Sequence, residues 1–375
     1  MRRRPGEVRD AIIQVLEERP DGGSVSEIAT GVSELIGDVA PSSIRSYLQL
    51  NTPTLFARMD RAQYVLNGFD EPHKPQPAAR APATPEFRFG RAKLHLGECS
   101  DWLDAQPSQS IHAVVTDPPY GLVEYSDLEQ GKLRAGKGGV WRIPPSFDGA
   151  KRSPLPRFTV LTATDLVALE RFFLAWGRSL IRVLVPGANV VVASNPLLSY
   201  VVSGALSRAG LERRGELARL VMTLRGGDRP KAAHVEFNDV SVMPRSMWEP
   251  WLLFRKPLEG RAQDNLRKWA TGGFRRISAT KPFGDVIESA PTRATERKLA
   301  NHPSLKPQAF LRKLVRGVLP LGEGVVLDPF AGSGSTLAAA EAVGYQSLGI
   351  ERDKAYFDLA TQSIPRLAAL RVDLV

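Results

Sequence analysis

The sequence predicts a doubly wound α/β domain over residues 87–375, preceded by a small helical domain with a hairpin over residues 1–70. Three observations carry this prediction. Short apolar runs alternate with amphipathic helical segments from residue 87 onward, as strands and crossover helices do. Two turns rich in Pro or Gly directly follow apolar runs, where open α/β sheets place their ligands. Five prolines fall within residues 71–86, a density that excludes a helix or central strand and marks an extended Pro/Ala-rich linker.

In the first domain, Val8, Ile12, Ile13, Val15 and Leu16 fall at helical spacing. Ser24 can cap a second helix over 25–35, with Glu27 as its capping-box partner. Pro41 suits the first turn of a third helix through Ile44, Tyr47, Leu48 and Leu50. Residues 55–59 and 63–66 alternate around a turn and read as a hairpin. Three helices and a hairpin make a winged-helix pattern. Ser42, Ser43, Arg45 and Gln49 would decorate the helix that enters a groove in DNA-binding members of that class. The domain carries 8 basic and 10 acidic residues, which equally suits a protein-binding module.

In the second domain the expected strands are 93–96, 113–116, 189–193, 251–254, 325–327 and 347–350. Two long interruptions, 121–158 and 258–300, are expected to be functional loops or disordered insertions. The first holds Lys132, Arg134, Lys137, Arg142, Lys151 and Arg152, and would close over a substrate if functional.

Composition bounds the function. Hydrophobic residues make up 43% and charged residues 24%, so a packed core is expected. No apolar run reaches the roughly 18 residues of a membrane span, and no apolar segment follows the basic N-terminus. A cytoplasmic, nucleoid-associated protein is the expectation. The single cysteine, Cys99, excludes an intrachain disulfide and a Cys-x-x-Cys zinc site, and no metal is expected. The net charge is +10, and residues 255–316 alone hold 15 basic and 5 acidic residues. A surplus focused in this way points to a polyanion, nucleic acid first. A solvated basic face would show the same count.

Asp117-Pro118-Pro119-Tyr120 follows the apolar run 111–116 directly. Two prolines fix the backbone and remove two N–H donors, so turn carbonyls can accept hydrogen bonds from a ligand. Tyr120 offers a face on which a base can stack. An acceptor pair beside an aromatic platform suits an exocyclic amino group in the plane of a stacked base. A rigid proline turn with a buried tyrosine would use the same residues without a ligand. Val325-Val326-Leu327-Asp328-Pro329-Phe330-Ala331-Gly332-Ser333-Gly334-Ser335 is a strand, a Gly-x-Gly turn and the start of a helix. It lacks the spacing of a phosphate-binding loop. Glu351 closes the next strand, where an acid can accept ribose hydroxyls.

These segments resemble those of the DNA amino-methyltransferases. Asp117–Tyr120 is similar to their catalytic Asp-Pro-Pro-Tyr. Asp328–Gly334 is similar to their S-adenosylmethionine loop, Asp-Pro-Phe-x-Gly-x-Gly. Asn301-His302-Pro303-Ser304-Leu305-Lys306-Pro307 resembles the segment that precedes that loop and lines the cofactor pocket. Gly97-Glu98-Cys99 resembles a Gly-Asp-Cys element at the cofactor adenine, with Glu98 in place of Asp. Trp248-Glu249-Pro250 and the following apolar run resemble the strand that shapes the target-base pocket. The catalytic motif precedes the cofactor loop by about 210 residues, the permuted order called the beta class.

The resemblance implies a Rossmann-like fold with Asp117, Pro118, Pro119 and Tyr120 as catalytic residues. It implies Asp328, Phe330, Gly332, Gly334, Ser335, Glu351, Glu98, Cys99, His302, Ser304 and Lys306 as cofactor contacts. The target-recognition segment would lie between the two motifs, where the charge surplus falls. Arg267, Lys268, Arg275, Arg276, Lys281 and Arg293 are then candidates for DNA contact. Trp269 and Phe274 are candidates to stack or wedge. Most such contacts position the backbone rather than read bases.

The implied substrate is double-stranded DNA, whose target base must be flipped out. Asp at position 117 usually goes with adenine N6 in this family and Ser usually with cytosine N4, while both bases present an amino group to the same acceptors, so adenine is favoured and cytosine is the alternative. Cytosine C5 chemistry needs a nucleophilic cysteine, and Cys99 has the wrong context. Related Pro-Pro-Tyr motifs also serve RNA and protein-glutamine methyltransferases. A non-enzymatic DNA-binding regulator would keep the first domain and lose Asp117, Tyr120, Gly332, Gly334 or Glu351, none of which is lost. By resemblance a homodimer is expected, with or without a cognate restriction enzyme.

Overall fold

The computed structural model describes residues 7–19, 21–50, 56–60, 63–66, 85–119, 146–147, 150–151, 163–221, 230, 233–244, 246–300, 302 and 304–372. The chain divides into two compact units, Met1–Ala81 and Pro82–Val375.

The first unit has helices Glu7–Glu17, Val25–Ile36 and Pro41–Leu50, with strands β1 (Gly23–Ser24), β2 (Phe56–Asp60) and β3 (Gln63–Leu66). The strands form an antiparallel sheet in the order β1-β3-β2. Ile12, Ile28, Ile44, Leu48 and Phe56 meet in its core with no exposure. The capping box reads as the sequence predicts. The Glu27 N–H donates to Ser24 Oγ (3.3 Å), and the Ser24 N–H donates to Glu27 Oε2 (2.7 Å). Ser42, Ser43, Arg45 and Gln49 are exposed on the third helix. The two-residue β1 has no sequence signal of its own.

The second unit is built on a nine-stranded mixed sheet. Its strands are β4 (Glu86–Phe89), β5 (Ala92–Leu96), β6 (Ile111–Thr116), β9 (Leu184–Ala193), β10 (Glu212–Leu220), β11 (Trp248–Arg255), β12 (Val286–Glu288), β13 (Val325–Asp328) and β14 (Gln346–Glu351). The short strands β7 (Ser146–Phe147) and β8 (Ala150–Lys151) pair separately. The sheet order is β12-β10-β11-β9-β6-β13-β14-β5-β4. The middle five, β9 to β5, run parallel. β11 and β4 join them antiparallel on either side.

Both faces of the sheet are covered, so its central strands are apolar on both sides. Along β6, Val114 packs into one core while Ala113 and Val115 pack into the other. Helix Ala163–Val183 supplies Leu169, Phe173, Trp176 and Leu180 to the first core. Helix Gln308–Val318 supplies Phe310, Leu311, Leu314 and Val315 to the second. After β6 the chain passes through helix Ala163–Val183 to β9. After β13 it passes through helix Ser335–Ala342 to β14. β9 and β14 lie on opposite sides of the β6–β13 pair. The two crossovers diverge there and open a crevice at the carboxyl ends of β6 and β13, the position where such sheets bind ligands.

Three sequence expectations need correction. The linker ends before Glu86, because Glu86–Phe89 pairs with β5. β10 has no counterpart among the predicted strands. It reads Glu-Arg-Arg-Gly-Glu-Leu-Ala-Arg-Leu, and a bulge between Arg213 and Gly215 breaks its alternation. Segment 258–300 is not structureless, since it carries helix Ala262–Trp269, β12 and helix Ala294–Leu299. Most of 121–158, and residues 222–229, lie outside the described residues.

Asn265 anchors that basic segment. It is fully buried, and its Nδ2 donates to the Pro186 carbonyl (3.0 Å) and the Thr271 carbonyl (2.9 Å). Its Oδ1 accepts the Glu259 N–H (2.9 Å). Asn265→Ala leaves these buried groups unsatisfied and is expected to cost about 2–3 kcal/mol in denaturant unfolding. A loss below about 0.5 kcal/mol, the range of ordinary surface substitutions, would show that the anchor is not structural.

Candidate active site

β6 and β13 are adjacent and parallel, with Ala113 opposite Val326 and Val114 opposite Leu327. Their carboxyl ends therefore emerge side by side. Thr116 Oγ1 donates to Asp328 Oδ1 at 2.7 Å across 212 residues of sequence. The same oxygen accepts the Phe330 N–H at 3.2 Å, which closes the turn after β13. Asp328 is buried, and burial pushes its carboxyl up to about 6 against the hydrogen bonds that favour the anion.

A cleft opens at this edge. It brings together Asp117, His302, Ser304, Lys306, Asp328, Phe330, Gly332 and Ser335 from the predicted site. Trp251, Leu311, Ala331, Ser333 and Thr336 also line it, and none of them has a chemical signature in the sequence. Pro118 is buried and Pro119 half-buried beside Asp117. Tyr120, Asn301 and Pro303 lie outside the described residues.

The turn after β13 is shaped by glycine. Gly332 has φ +51°, and a Cβ there would lie 3.2 Å from the His302 ring. Gly334 has φ +75°, and a Cβ there would collide with Ile364 Cγ1. Gly334 thus serves close packing against the last helix, Lys354–Ala368, and does not line the cleft. Glu351 ends β14 behind the turn. Its Oε2 accepts the Gly332 N–H and its Oε1 the Asp353 N–H, each at 2.8 Å. Burial raises its pKa above the ordinary carboxylate value.

Lys306 has a different setting from the one its motif implies. Its Nζ donates to Asp117 Oδ2 and lies 3.4 Å from Glu249 Oε1. Glu249 Oε2 in turn accepts from Arg219 Nη1 (2.8 Å) and from the Trp251 indole (3.2 Å). Asp117, Lys306, Glu249 and Arg219 thus form a row of alternating charge. Burial alone would lower the Lys306 pKa, but the Asp117 and Glu249 carboxylates raise it above the ordinary lysine value. Burial alone would raise the Glu249 carboxyl, but Lys306 and Arg219 hold it down at about 2. His302 is pushed down to about 4 by burial and by Lys306, and its Nδ1 accepts the Ser304 N–H at 3.2 Å. Arg219 was not among the predicted site residues, and Glu249 was placed by resemblance in the strand shaping the target-base pocket without a role of its own. Arg219 sits on the strand that the sequence pattern concealed.

Glu98 and Cys99 do not line the cleft, although Gly97 beside them donates to the Glu351 carbonyl at 2.9 Å. Glu98 is exposed, 3.9 Å from Arg352. Cys99 is buried in the first core, and burial pushes its thiol up to about 11, the wrong direction for a nucleophile.

The basic candidates fall into two groups. Arg267 pairs with Asp264 (3.0 Å), and Lys268 with Glu259 (2.5 Å). The Trp269 indole donates to Glu259 (2.8 Å) while its ring packs on the first core. Arg275 is half-buried and donates to the Tyr345 hydroxyl at 2.7 Å. Phe274 packs against Phe283 at 5.1 Å beside the second core. These residues already have partners within the fold. Arg276, Lys281 and Arg293 are exposed.

A protein-family model described as DNA methylase, of the N6/N4 type, matches residues 237–362. The match runs from before β11 through the basic segment, the Lys306 turn and β13 to the last helix. Over that segment the chain is similar to N6/N4 DNA methylases. Type II methyltransferase M.HindIII of Haemophilus influenzae is 25% identical to it over 283 residues, which cover 68% of this chain and 90% of that protein. Type II methyltransferase M.MjaI of Methanocaldococcus jannaschii is 24% identical over 278 residues, 70% of this chain and 88% of that protein. Among solved structures, the cytosine-N4-specific PvuII DNA methyltransferase aligns with a TM-score of 0.47 at 13% identity, covering 74% of this chain and 91% of its own. A Thermus thermophilus protein described as a DNA modification methylase, complexed with S-adenosyl-L-methionine, aligns with a TM-score of 0.44 at 21% identity, covering 74% and 94%.

The second unit keeps a strained carboxylate at the centre of its cleft. Asp328 titrates near 6 when folded and near 3.8 when exposed. Its folded value is raised, so the anion costs stability at neutral pH, and the cost is relieved as pH falls from about 6 towards 3.8. Asp328→Asn keeps an acceptor for Thr116 and Phe330. It is expected to raise stability at neutral pH by on the order of 1–3 kcal/mol in denaturant unfolding, with the gap closing in acid. Equal stability of the two proteins at neutral pH would refute this.

Proposed function

We propose that this protein is a site-specific DNA methyltransferase. It transfers a methyl group from S-adenosylmethionine to the exocyclic amino group of a flipped base, with adenine N6 favoured. The observation that carries the reading is the Thr116–Asp328 hydrogen bond, which joins the Asp-Pro-Pro turn and the Gly-x-Gly turn at one cleft. The family match and the two Type II methyltransferase relatives support DNA as the substrate.

The residues at the cleft fit the methyl donor. The positive φ of Gly332 gives it bare backbone at the floor. Glu351 uses one bond per oxygen on backbone N–H groups, and a carboxylate accepts about four, so capacity remains for ribose hydroxyls. Phe330, braced by Trp176 at 5.6 Å, offers an apolar wall. When bound, S-adenosylmethionine supplies an electrophilic methyl on sulfonium.

The exocyclic nitrogen is a poor nucleophile because its lone pair is delocalised into the ring. Asp117 and the Pro118 carbonyl accept its two N–H groups, which favours a more tetrahedral nitrogen whose lone pair faces the donor. Catalysis here is positioning and electrostatics. Tyr120 is the stacking platform for the flipped base. Adenine is favoured over cytosine because Asp117 stands where the cytosine-N4 enzymes usually carry Ser. Residues 1–70 are read as a winged-helix-like domain with its third helix outward. A homodimer, with or without a cognate restriction enzyme, completes the proposal.

Asp117→Ala is expected to abolish methylation while retaining S-adenosylmethionine affinity and fold. A normal rate in that variant would refute the mechanism. Mass spectrometry of nucleosides from treated DNA is expected to show N6-methyladenine. N4-methylcytosine would instead place the alternative base in the pocket, and no methylated base would move the substrate to RNA or protein. Arg276→Ala with Lys281→Ala should weaken DNA binding and reduce its salt slope by about 2, since each phosphate contact contributes close to one. Arg275→Ala should act mainly on stability, through Tyr345.

A further inference from the structure

The carboxylate of Asp117 does not stand alone. We propose that Lys306 and Glu249 are positioning residues for it. Lys306 acts as the ammonium that fixes the Asp117 carboxylate, and Glu249, held by Arg219, fixes Lys306. This inference rests on the methyltransferase reading given above, and it assigns Lys306 a different role from that of a cofactor contact.

The geometry is direct. Asp117 begins a turn and belongs to no regular element, so β6 alone does not fix its side chain. Lys306 Nζ donates to Asp117 Oδ2 and sits 3.4 Å from Glu249 Oε1, with only 10% of its side chain exposed. A flexible lysine is fixed only if something grips its head group. Glu249 is that grip, and it is itself immobile. It lies on β11, which is paired on both sides, and Arg219 and the Trp251 indole both donate to its Oε2. Arg219 is locked further by Ser289 Oγ (3.1 Å), the Ala290 carbonyl (3.2 Å) and the Phe310 ring, 5.0 Å from its guanidinium carbon. Rigidity therefore passes from the sheet through Arg219 and Glu249 to Lys306 and then to Asp117.

The arrangement has a chemical purpose. Asp117 must accept an N–H in a defined plane, and a misplacement on the order of 1 Å can cost about a hundredfold in rate. A carboxylate accepts about four hydrogen bonds, so the Lys306 bond orients Asp117 without exhausting its acceptor capacity. A neutral anchor would orient it equally but would remove the positive charge between Asp117 and Glu249, leaving Arg219 alone to balance two neighbouring carboxylates. Lys306 does both.

The test is single-turnover methyl transfer on unmethylated genomic DNA, with S-adenosylmethionine affinity measured by calorimetry on the same full-length proteins. Lys306→Met is expected to slow transfer at saturating DNA and S-adenosylmethionine by about a hundredfold, with cofactor affinity changed less than about threefold. Lys306→Arg should restore part of the rate. Glu249→Gln, which is isosteric, should slow transfer by about tenfold alone and add little to Lys306→Met, because the two act as one unit.

A normal saturating rate for Lys306→Met with weakened S-adenosylmethionine binding would make Lys306 a cofactor contact and overturn the proposal. Multiplicative losses in the double variant would show that Glu249 does not act through Lys306, and would overturn its half. Should Lys306→Met fail to fold, the Glu249→Gln rate and cofactor affinity decide on their own. An unchanged rate there defeats the proposal. Asp117→Ala serves as the reference. If it is inactive while Lys306→Met is normal, only this inference fails. If both are active, the methyltransferase mechanism fails with it.

Discussion

The parallel pairing of β6 with β13 is the constraint on which the site depends. Two strands more than 200 residues apart in sequence lie side by side with their carboxyl ends level, and the Thr116–Asp328 hydrogen bond ties those ends together. Everything chemical follows from that register. A one-residue slip would turn Val114 and Val115 onto the wrong faces of the sheet, so two apolar cores resist it. The precision of the cleft is therefore secured by valine packing directly beneath it.

Electrostatics at this edge run against stability. Asp328 is an anion in a place that prefers the neutral acid. Lys306 and Glu249 are buried ions that persist only because each faces an opposite charge. Breaking such a row by removing one member is far more damaging than the net worth of the intact row suggests. A domain assembled for stability alone would fill this space with leucine. Its retention of four alternating charges beside a strained carboxylate fits a site whose shape is set by what it must hold.

Much of this was legible in the sequence because it rests on local rules. The apolar runs of β6, β9, β13 and β14, the capping box at Ser24 and the proline-rich linker each declare themselves within a few residues. The two chemical turns were legible for the same reason. The rest depends on distance. Arg219 is invisible as a site residue because β10 is rich in charge and bulged at Gly215, and only its pairing with β11 sets it beside Glu249. Lys306 was recognised by its motif, but its ion pairs lie 189 and 57 residues away, beyond any spacing rule. Charge counting found the basic segment but not which cations are engaged inside the fold, as Arg275 is on Tyr345.

The way that segment is rooted has a consequence for how the protein can change. Asn265 and Thr271 are fully buried and bonded to the Pro186 carbonyl, whereas residues 276–282 are exposed. Replacements at the root weaken folding, and replacements at the tip leave it nearly untouched. The exposed positions can therefore drift towards a new surface chemistry while the cleft, held by other strands, stays as it is. A scaffold divided in this way can be retargeted by small steps, each of which leaves a folded protein behind.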